Sequence, residues 1–478
     1  MKVYYVTSEA APFSKTGGLG DVMGSLPIAM RKKNVGVRVV TPLYESIPNE
    51  LRSNMKFIKN IWVDLSWRHQ YCGVFEAKYN GVTYFLIDNE YYFKRPEIYG
   101  YFDDGERFAF LSKAAVDLIS QIDFEPDIVH ANDWQTALVP VYLKLCYQNK
   151  KWAKRIKTVF TIHNIGYQGQ FSKDIISDVF GIDPCNYYNG IMEHDGCVNL
   201  MKAAIQISDY VTTVSPTYAK EIQTPIFGNG LDTLLLANSS KLEGILNAID
   251  TEEYNPTTDK AIFKNYDAEH PADKHYNKVA LQKMMGLEQN EKIPMIAMIS
   301  RLVSHKGLDL VCGVLEELLK EKIQFVVVGK GDWMYEQTMV EVQRKYPGKV
   351  SANIAFNSDL AKKVYAGADM LLMPSYSEPC GLSQLIALRY GTIPIVRETG
   401  GLYDTVQPFY EPTGEGNGFS FSRYEGSDML YVIRQAIGIY QKRNVWEKLV
   451  VKALEGQYGW EVSAKNYLAV YRRIAAPK

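Results

Sequence analysis

Short apolar runs alternate with amphipathic stretches from one end of the chain to the other. Lys2–Thr7 (KVYYVT), Val35–Thr41 (VGVRVVT), Asp127–His130, Lys157–His163 and Tyr210–Val214 are rich in β-branched and aromatic residues, with helical patterns such as Gly18–Lys33 between them. Apolar runs that are continuous, rather than alternating with polar residues, predict parallel strands covered on both faces. Phe57–Ile87 differs. It alternates apolar and polar positions around Asn80-Gly81, a dipeptide suited to a two-residue turn, and predicts a hairpin.

A second series follows. Met295–Ser300, Gln324–Gly329, Val350–Phe356, Met370–Pro374 and Thr392–Val396 read as strands, with helices between them. The segment Asn247–His270 is polar, carries Pro256 and offers little core, so the junction is placed just before it. Tyr458–Lys478 reads as an amphipathic helix able to pack back on the first domain. The expected architecture is α/β: two doubly wound Rossmann-like domains, 1–240 and 241–457, plus the helix 458–478. Facing one another, they would bring both sets of strand C-termini to one deep cleft, where such sheets bind ligands.

Composition narrows the function. At 478 residues the chain exceeds the size at which a single core stops growing, which agrees with two domains. Lys and Arg total 53 against 54 for Asp and Glu, which disfavours bulk binding to nucleic acid. No apolar run approaches the ~18 residues of a membrane span, and the N-terminus runs directly into a strand. No cysteine pair has CxxC spacing, so reduced thiols in a cytoplasmic protein are expected. Tyrosine is unusually common, at 33 residues; its ring face and hydroxyl suit sugar surfaces, though equally cores and interfaces.

Five motifs lie where predicted strands end. Lys15-Thr16-Gly17-Gly18-Leu19-Gly20-Asp21 joins glycines, a helix N-terminus and a cation, and is either an anion site or a glycine-rich turn. It is not a dinucleotide fingerprint, because about ten residues separate it from the strand. Nor is it a Walker A loop, since Lys15 precedes the glycines. Ser300–Gly307 (SRLVSHKG) carries two cations five residues apart, able to converge on a diphosphate or to lie solvated in a loop. Ser377–Ser383 (SEPCGLS) puts a carboxylate at a helix start, as a sugar ligand or as a cap. His130–Thr136 (HANDWQT) and Thr161–Gly169 (TIHNIGYQG) place polar side chains beyond adjacent strands. No Asp-x-Asp pair occurs, so no divalent metal is expected to hold a diphosphate, and no cofactor is expected.

Together with YGYFDDGERFAFLSKAA, GILNAID and YGTIPIVRETGGLYDTV, these motifs closely resemble, along essentially the whole chain, the bacterial and plant glycogen (starch) synthase family that uses ADP-glucose. The resemblance implies a two-domain GT-B fold and retaining transfer of glucose to the non-reducing end of an α-1,4-glucan such as glycogen. It implies that Lys15, Arg301 and Lys306 neutralise the donor diphosphate, which Gly18 and Gly381 let approach. Glu378 would hold the glucosyl hydroxyls, helped by the Cys380–Leu382 turn (Cys380, Gly381, Leu382), and His163 would bond the 6-hydroxyl. Asp21, Asp133, Trp134, Asn164 and Asn247 would shape the glucosyl and acceptor side, and Phe356 would cover the adenine. Ile386 stands where the wider superfamily has a second Glu, a departure the synthase branch shares. Because Lys15 and the pair Arg301 and Lys306 fall in different domains, the cleft is expected to close on the donor, hinged near Asn247.

The rivals are a sucrose- or trehalose-type enzyme, a phosphorylase with pyridoxal phosphate, and a non-catalytic binding protein. KTGGL and TIHNIGYQG argue against the first, and the full set of charged residues against the last. Cys185, His194 and Cys197 lack the regular spacing of a metal site.

Overall fold

The computed structural model describes residues 1–355 and 357–475. The described chain divides into two compact units, Met1–Asn247 with Trp460–Lys478, and Ala248–Gly459.

The first unit is built on a nine-stranded sheet. From one edge its strands run Leu242–Gly244, Tyr210–Thr213, Lys157–Ile162, Ile128–Asn132, Lys2–Val6, Gly36–Pro42, Val82–Asp88, Arg68–Tyr79 and Lys56–Leu65. The first seven are parallel. Arg68–Tyr79 and Lys56–Leu65 add an antiparallel edge. The predicted hairpin is present: Tyr79 pairs with Val82, and Asn80 and Gly81 both take positive φ, 46° and 77°. The parallel strands inside the sheet are largely buried on both faces, as their unbroken apolar runs require, while the edge strand Leu242–Gly244 is half-buried.

Two expectations need correction. The junction does not fall at 240, because Leu242–Gly244 continues the first sheet by pairing parallel to Tyr210–Thr213. A three-residue strand is too short to carry a periodic signal. Nor is the stretch after Asn247 poor in core: Ile249, Tyr254, Ile262 and Tyr266 are buried in the second unit's hydrophobic cluster. Asp250, Asn255 and Asp267 each accept a backbone N–H two residues ahead, folding a non-periodic segment into turns that direct these anchors inward.

The helix Glu461–Ala475 packs on the first unit. Its Tyr471 hydroxyl lies 2.9 Å from that of Tyr5 and 2.7 Å from His130 Nδ1. Arg473 donates to Tyr210 at 2.6 Å and to Glu243 at 3.1 Å.

The second unit holds six parallel strands in the order Val350–Asn353, Gln324–Val328, Met295–Ile299, Met370–Met373, Ile393–Arg397, Phe419–Phe421. Numbered along the chain this is 3-2-1-4-5-6, the dinucleotide-fold order, whose strand order reverses between Met295–Ile299 and Met370–Met373. The parallel strands of the first unit reverse in the same way between Lys2–Val6 and Ile128–Asn132. Each unit therefore has one topological switch point. The predicted strand Val350–Phe356 ends at Asn353, and Phe356 lies outside the described residues. Among the described residues, no helix is long and apolar enough to cross a membrane.

Candidate functional site

In the second unit, the chain leaves Met295–Ile299 into Ser300–Gly307 and leaves Met370–Met373 into Pro374–Gly381, the two strands flanking the switch point. These loops meet. Lys306 Nζ lies 2.6 Å from Glu378 Oε2, and the Ser375 hydroxyl donates to the same oxygen at 2.9 Å. Glu378 is 7% exposed, so this is an organised pair rather than a solvated contact. It does not cap the following helix: Ser383–Arg389 starts at Leu382 with no side-chain cap. The Gly307 φ of +82° and the Pro374 carbonyl, 2.2 Å from where a Cβ would stand, leave room for glycine alone where the loops cross.

Arg301, in the first of these loops, is exposed. Burial, followed by the charges of Lys306 and Arg301, holds the His305 imidazole below its usual value. Gly401 N–H bonds the carbonyls of Glu378 and Pro379, both at 3.2 Å, and Gln384 bonds those of Cys380 and Gly381, both at 3.0 Å. The Glu378–Leu382 turn is thereby tied from below. The arrangement is two cations and one carboxylate at a dinucleotide-type switch point, suited to an anionic, hydroxyl-bearing ligand.

The first unit's cluster has different chemistry. Asp133 follows Ile128–Asn132 and takes φ 57°, ψ 177°, a strained backbone that persists only where its surroundings enforce it. Its Oδ1 accepts from His163 N at 2.7 Å, and Asn164 N also donates to the carboxylate. Burial nevertheless pushes the carboxyl up to about 7 against those two donors. Burial also drives His163 down to about 3, so its ring is neutral. His163 Nε2 lies 3.0 Å from Asn132 Oδ1, while Asn132 Nδ2 donates to Val6 O at 3.2 Å. That network assigns the proton to Nε2 and leaves Nδ1 as an acceptor. His130, the other strand-end histidine, is fully buried between Tyr471 and Thr161 and belongs to the core.

Trp134 is half-buried, its ring against Phe108 at 5.4 Å and Phe171 at 5.8 Å. Asn247 is 8% exposed, and among the described residues its buried Oδ1 has no hydrogen-bond partner, an unsatisfied acceptor just beyond the edge strand. Lys15 pairs with Asp21 at 2.5 Å, and Gly17 starts the helix Gly18–Lys32 without a side-chain cap. The loop is held by a residue sequence reasoning passed over. Glu9, 3% exposed, accepts from Thr16 N at 2.5 Å, Thr16 Oγ1 at 2.8 Å and Tyr99 OH at 2.6 Å. Asn132 and Ser375 were also missed; like Glu9, they lie inside or beside the quoted motifs and act through their neighbours. Among the described residues, no group of three or more His, Cys, Asp or Glu could hold a metal ion.

Residues 2–237 match the model of the starch synthase catalytic domain, and residues 282–449 that of glycosyl transferases group 1. A glycogen synthase from Clostridium botulinum is 52% identical over 478 residues, covering 99% of this chain and all of that one. One from Geobacillus stearothermophilus is 48% identical, covering 99% and 98%. Among solved structures, the catalytic domain of starch synthase IV from Arabidopsis thaliana, bound to ADP and acarbose, superposes with a TM-score of 0.94 at 32% identity, covering 99% of both chains. Sucrose-phosphate synthase from Thermosynechococcus elongatus, at 0.61 and 15% identity, shares the fold alone. With full-length relatives near half identity and both domain models matched in order, the chain belongs to the glycogen and starch synthase family of glycosyltransferases.

Proposed function

We propose that the protein transfers glucose from ADP-glucose to the non-reducing end of an α-1,4-glucan such as glycogen, with retention of configuration. The observation that carries this reading is the Arg301, Lys306 and Glu378 cluster at the second unit's switch point, in a family whose starch synthase IV member binds ADP. Arg301 and Lys306 take the diphosphate and stabilise the charge that grows on departing ADP, with Lys15 as a further cation. Glu378 holds the glucosyl hydroxyls, and the Cys380, Gly381 and Leu382 turn supplies backbone contacts. Gly18 lets its helix start approach the donor, and Phe356 covers the base. In the first unit His163 accepts from the sugar's 6-hydroxyl through Nδ1, while Asp21, Asp133, Trp134, Asn164 and Asn247 shape the glucosyl and acceptor side.

Both the Lys306 and Ser375 contacts fall on Glu378 Oε2. A carboxylate engaged in that way is a weak nucleophile, which favours front-face attack over double displacement through Glu378. In that route a donor phosphate oxygen takes the acceptor's proton. All six cysteines are free, which supports a reducing, cytoplasmic setting.

Labelled ADP-glucose and UDP-glucose offered with glycogen test the reading. Incorporation from ADP-glucose, as α-1,4 residues removable by β-amylase, is expected. Absence of transfer from ADP-glucose, or β-linked product, contradicts it.

A further inference from the structure

The edge hairpin of the first unit carries large aromatics where a solvent-facing strand normally carries polar residues. Along Lys56–Leu65, Ile61, Val63 and Leu65 are buried, so Asn60, Trp62 and Asp64 share the outer face. Opposite them stand Gly73, Tyr71 and His69. Trp62 and His69 stack with centroids 4.7 Å apart and planes 6° from parallel, and Tyr71 meets Trp62 edge-on at 6.3 Å. Trp62 is 54% exposed and Tyr71 39%. Hydrogen-bonding groups flank the rings. The His69 ring is bonded to Asp64 at 2.5 Å. Beside them a Cβ on Gly73 would lie 2.7 Å from the Tyr71 hydroxyl and 3.0 Å from Asp88 Oδ2.

We propose that this face is a second, non-catalytic binding site for α-glucan chains, with Trp62 and Tyr71 as its platform. The inference rests on the glucan reading above. A pyranose ring presents a face of C–H groups that packs on an aromatic face, and a rim of hydroxyls that donate to carboxylates and hydroxyls. Bare rings bordered by Asp64, Asp88 and the Tyr71 hydroxyl match both features. A second copy of the chain fits less well. The edge strand carries Lys56 and Lys59 and breaks register between Phe57 and Lys59, devices that oppose strand pairing. Holding one branch of a polymer here raises the concentration of its other ends near the same molecule.

Affinity electrophoresis in glycogen gels, paired with kinetics on glycogen and on maltotriose, tests the site. In the Trp62→Ala/Tyr71→Ala protein, glycogen binding should weaken by ~10-fold. KM for glycogen should rise, while kcat and the maltotriose constants stay unchanged. His69→Ala removes one ring and leaves the Trp–Tyr pair across the strands, so it reads the same effect more weakly even if the double variant unfolds. Unchanged glycogen binding in the folded variants would overturn the proposal, as would equal losses on maltotriose. Sedimentation showing a wild-type dimer that the variants split would make the face a self-interface instead. A wild-type protein that neither binds nor elongates glycogen would overturn this site and the proposed function together, whereas elongation with unaltered variant binding would sink this site alone.

Discussion

The two units place their candidate site residues at equivalent positions, beyond the C-termini of parallel strands around a switch point, yet fill them with opposite chemistry. The second unit gathers charge: Arg301 exposed, Lys306 and Glu378 paired at 2.6 Å. The first gathers groups whose charged forms burial disfavours: His163 pushed down to about 3 and Asp133 up to about 7. A leaving diphosphate needs preorganised positive charge, and a sugar needs hydrogen bonds of fixed polarity. The division of chemistry between the units matches those two demands, and it can be broken from either side.

The largest effect is expected at the carboxylate. Glu378→Gln keeps the shape but loses the charge that fixes Lys306, and kcat should fall by ~10²–10⁴. Full activity in the folded variant would remove Glu378 from the site. Next come the cations: Arg301→Ala or Lys306→Ala should each lower kcat by ~10²–10³, measured at saturating glycogen. Losses smaller than tenfold would return them to the class of solvated loop charges.

The first unit should respond more gently. Asn132→Leu removes the acceptor that fixes the His163 proton on Nε2, and kcat should drop about tenfold, the worth of one hydrogen bond. Because that bond sets a tautomer, the ring 15N chemical shifts of His163 should also change, which simple loss of packing would not produce.

Asp133 supplies a prediction about stability. Burial pushes its carboxyl up to about 7 in the folded protein, from an ordinary value of 3.8. Between those values the folded state holds the extra proton, so this group's contribution to stability falls as pH rises through that window. Asp133→Asn retains an oxygen for the His163 N–H and cannot ionise. It should therefore raise Tm at pH 8 by a few degrees, roughly, and change it much less at pH 5. An equal shift at both pH values would mean that Asp133 is not forced to ionise inside the fold. The smallest effect concerns metals: if Arg301 and Lys306 supply the positive charge, as proposed, EDTA should leave the transfer rate within about twofold. Loss restored by one divalent ion would contradict that.

How much of this was legible in the sequence differs between the two regions for physical reasons. The parallel strands could be read because burial on both faces leaves continuous apolar runs, and the hairpin because Asn80-Gly81 marks its turn. Leu242–Gly244 and the anchors Tyr254 and Tyr266 could not, because short strands and side-chain-capped turns have no period. Sequence placed Lys306 and Glu378 at strand ends, but 72 residues separate them in the chain. Their contact follows from the reversal of strand order, which no local pattern encodes. His130 and His163 looked alike as strand-end histidines. Only their partners separate the one packed between Tyr471 and Thr161 from the one bonded by Asn132. Supporting residues such as Glu9 were hidden because their role lies in holding backbone N–H groups, which any carboxylate near a loop could do.

The most direct test of this division of chemistry is calorimetric titration of ADP into the wild-type protein, Lys306→Ala and His163→Ala. The account predicts that ADP binding weakens at least tenfold in Lys306→Ala, about 1.4 kcal/mol, and stays within twofold, roughly the scatter of such measurements, in His163→Ala. Unaltered ADP binding in Lys306→Ala, with loss in His163→Ala, would place the diphosphate on the wrong unit and contradict the account.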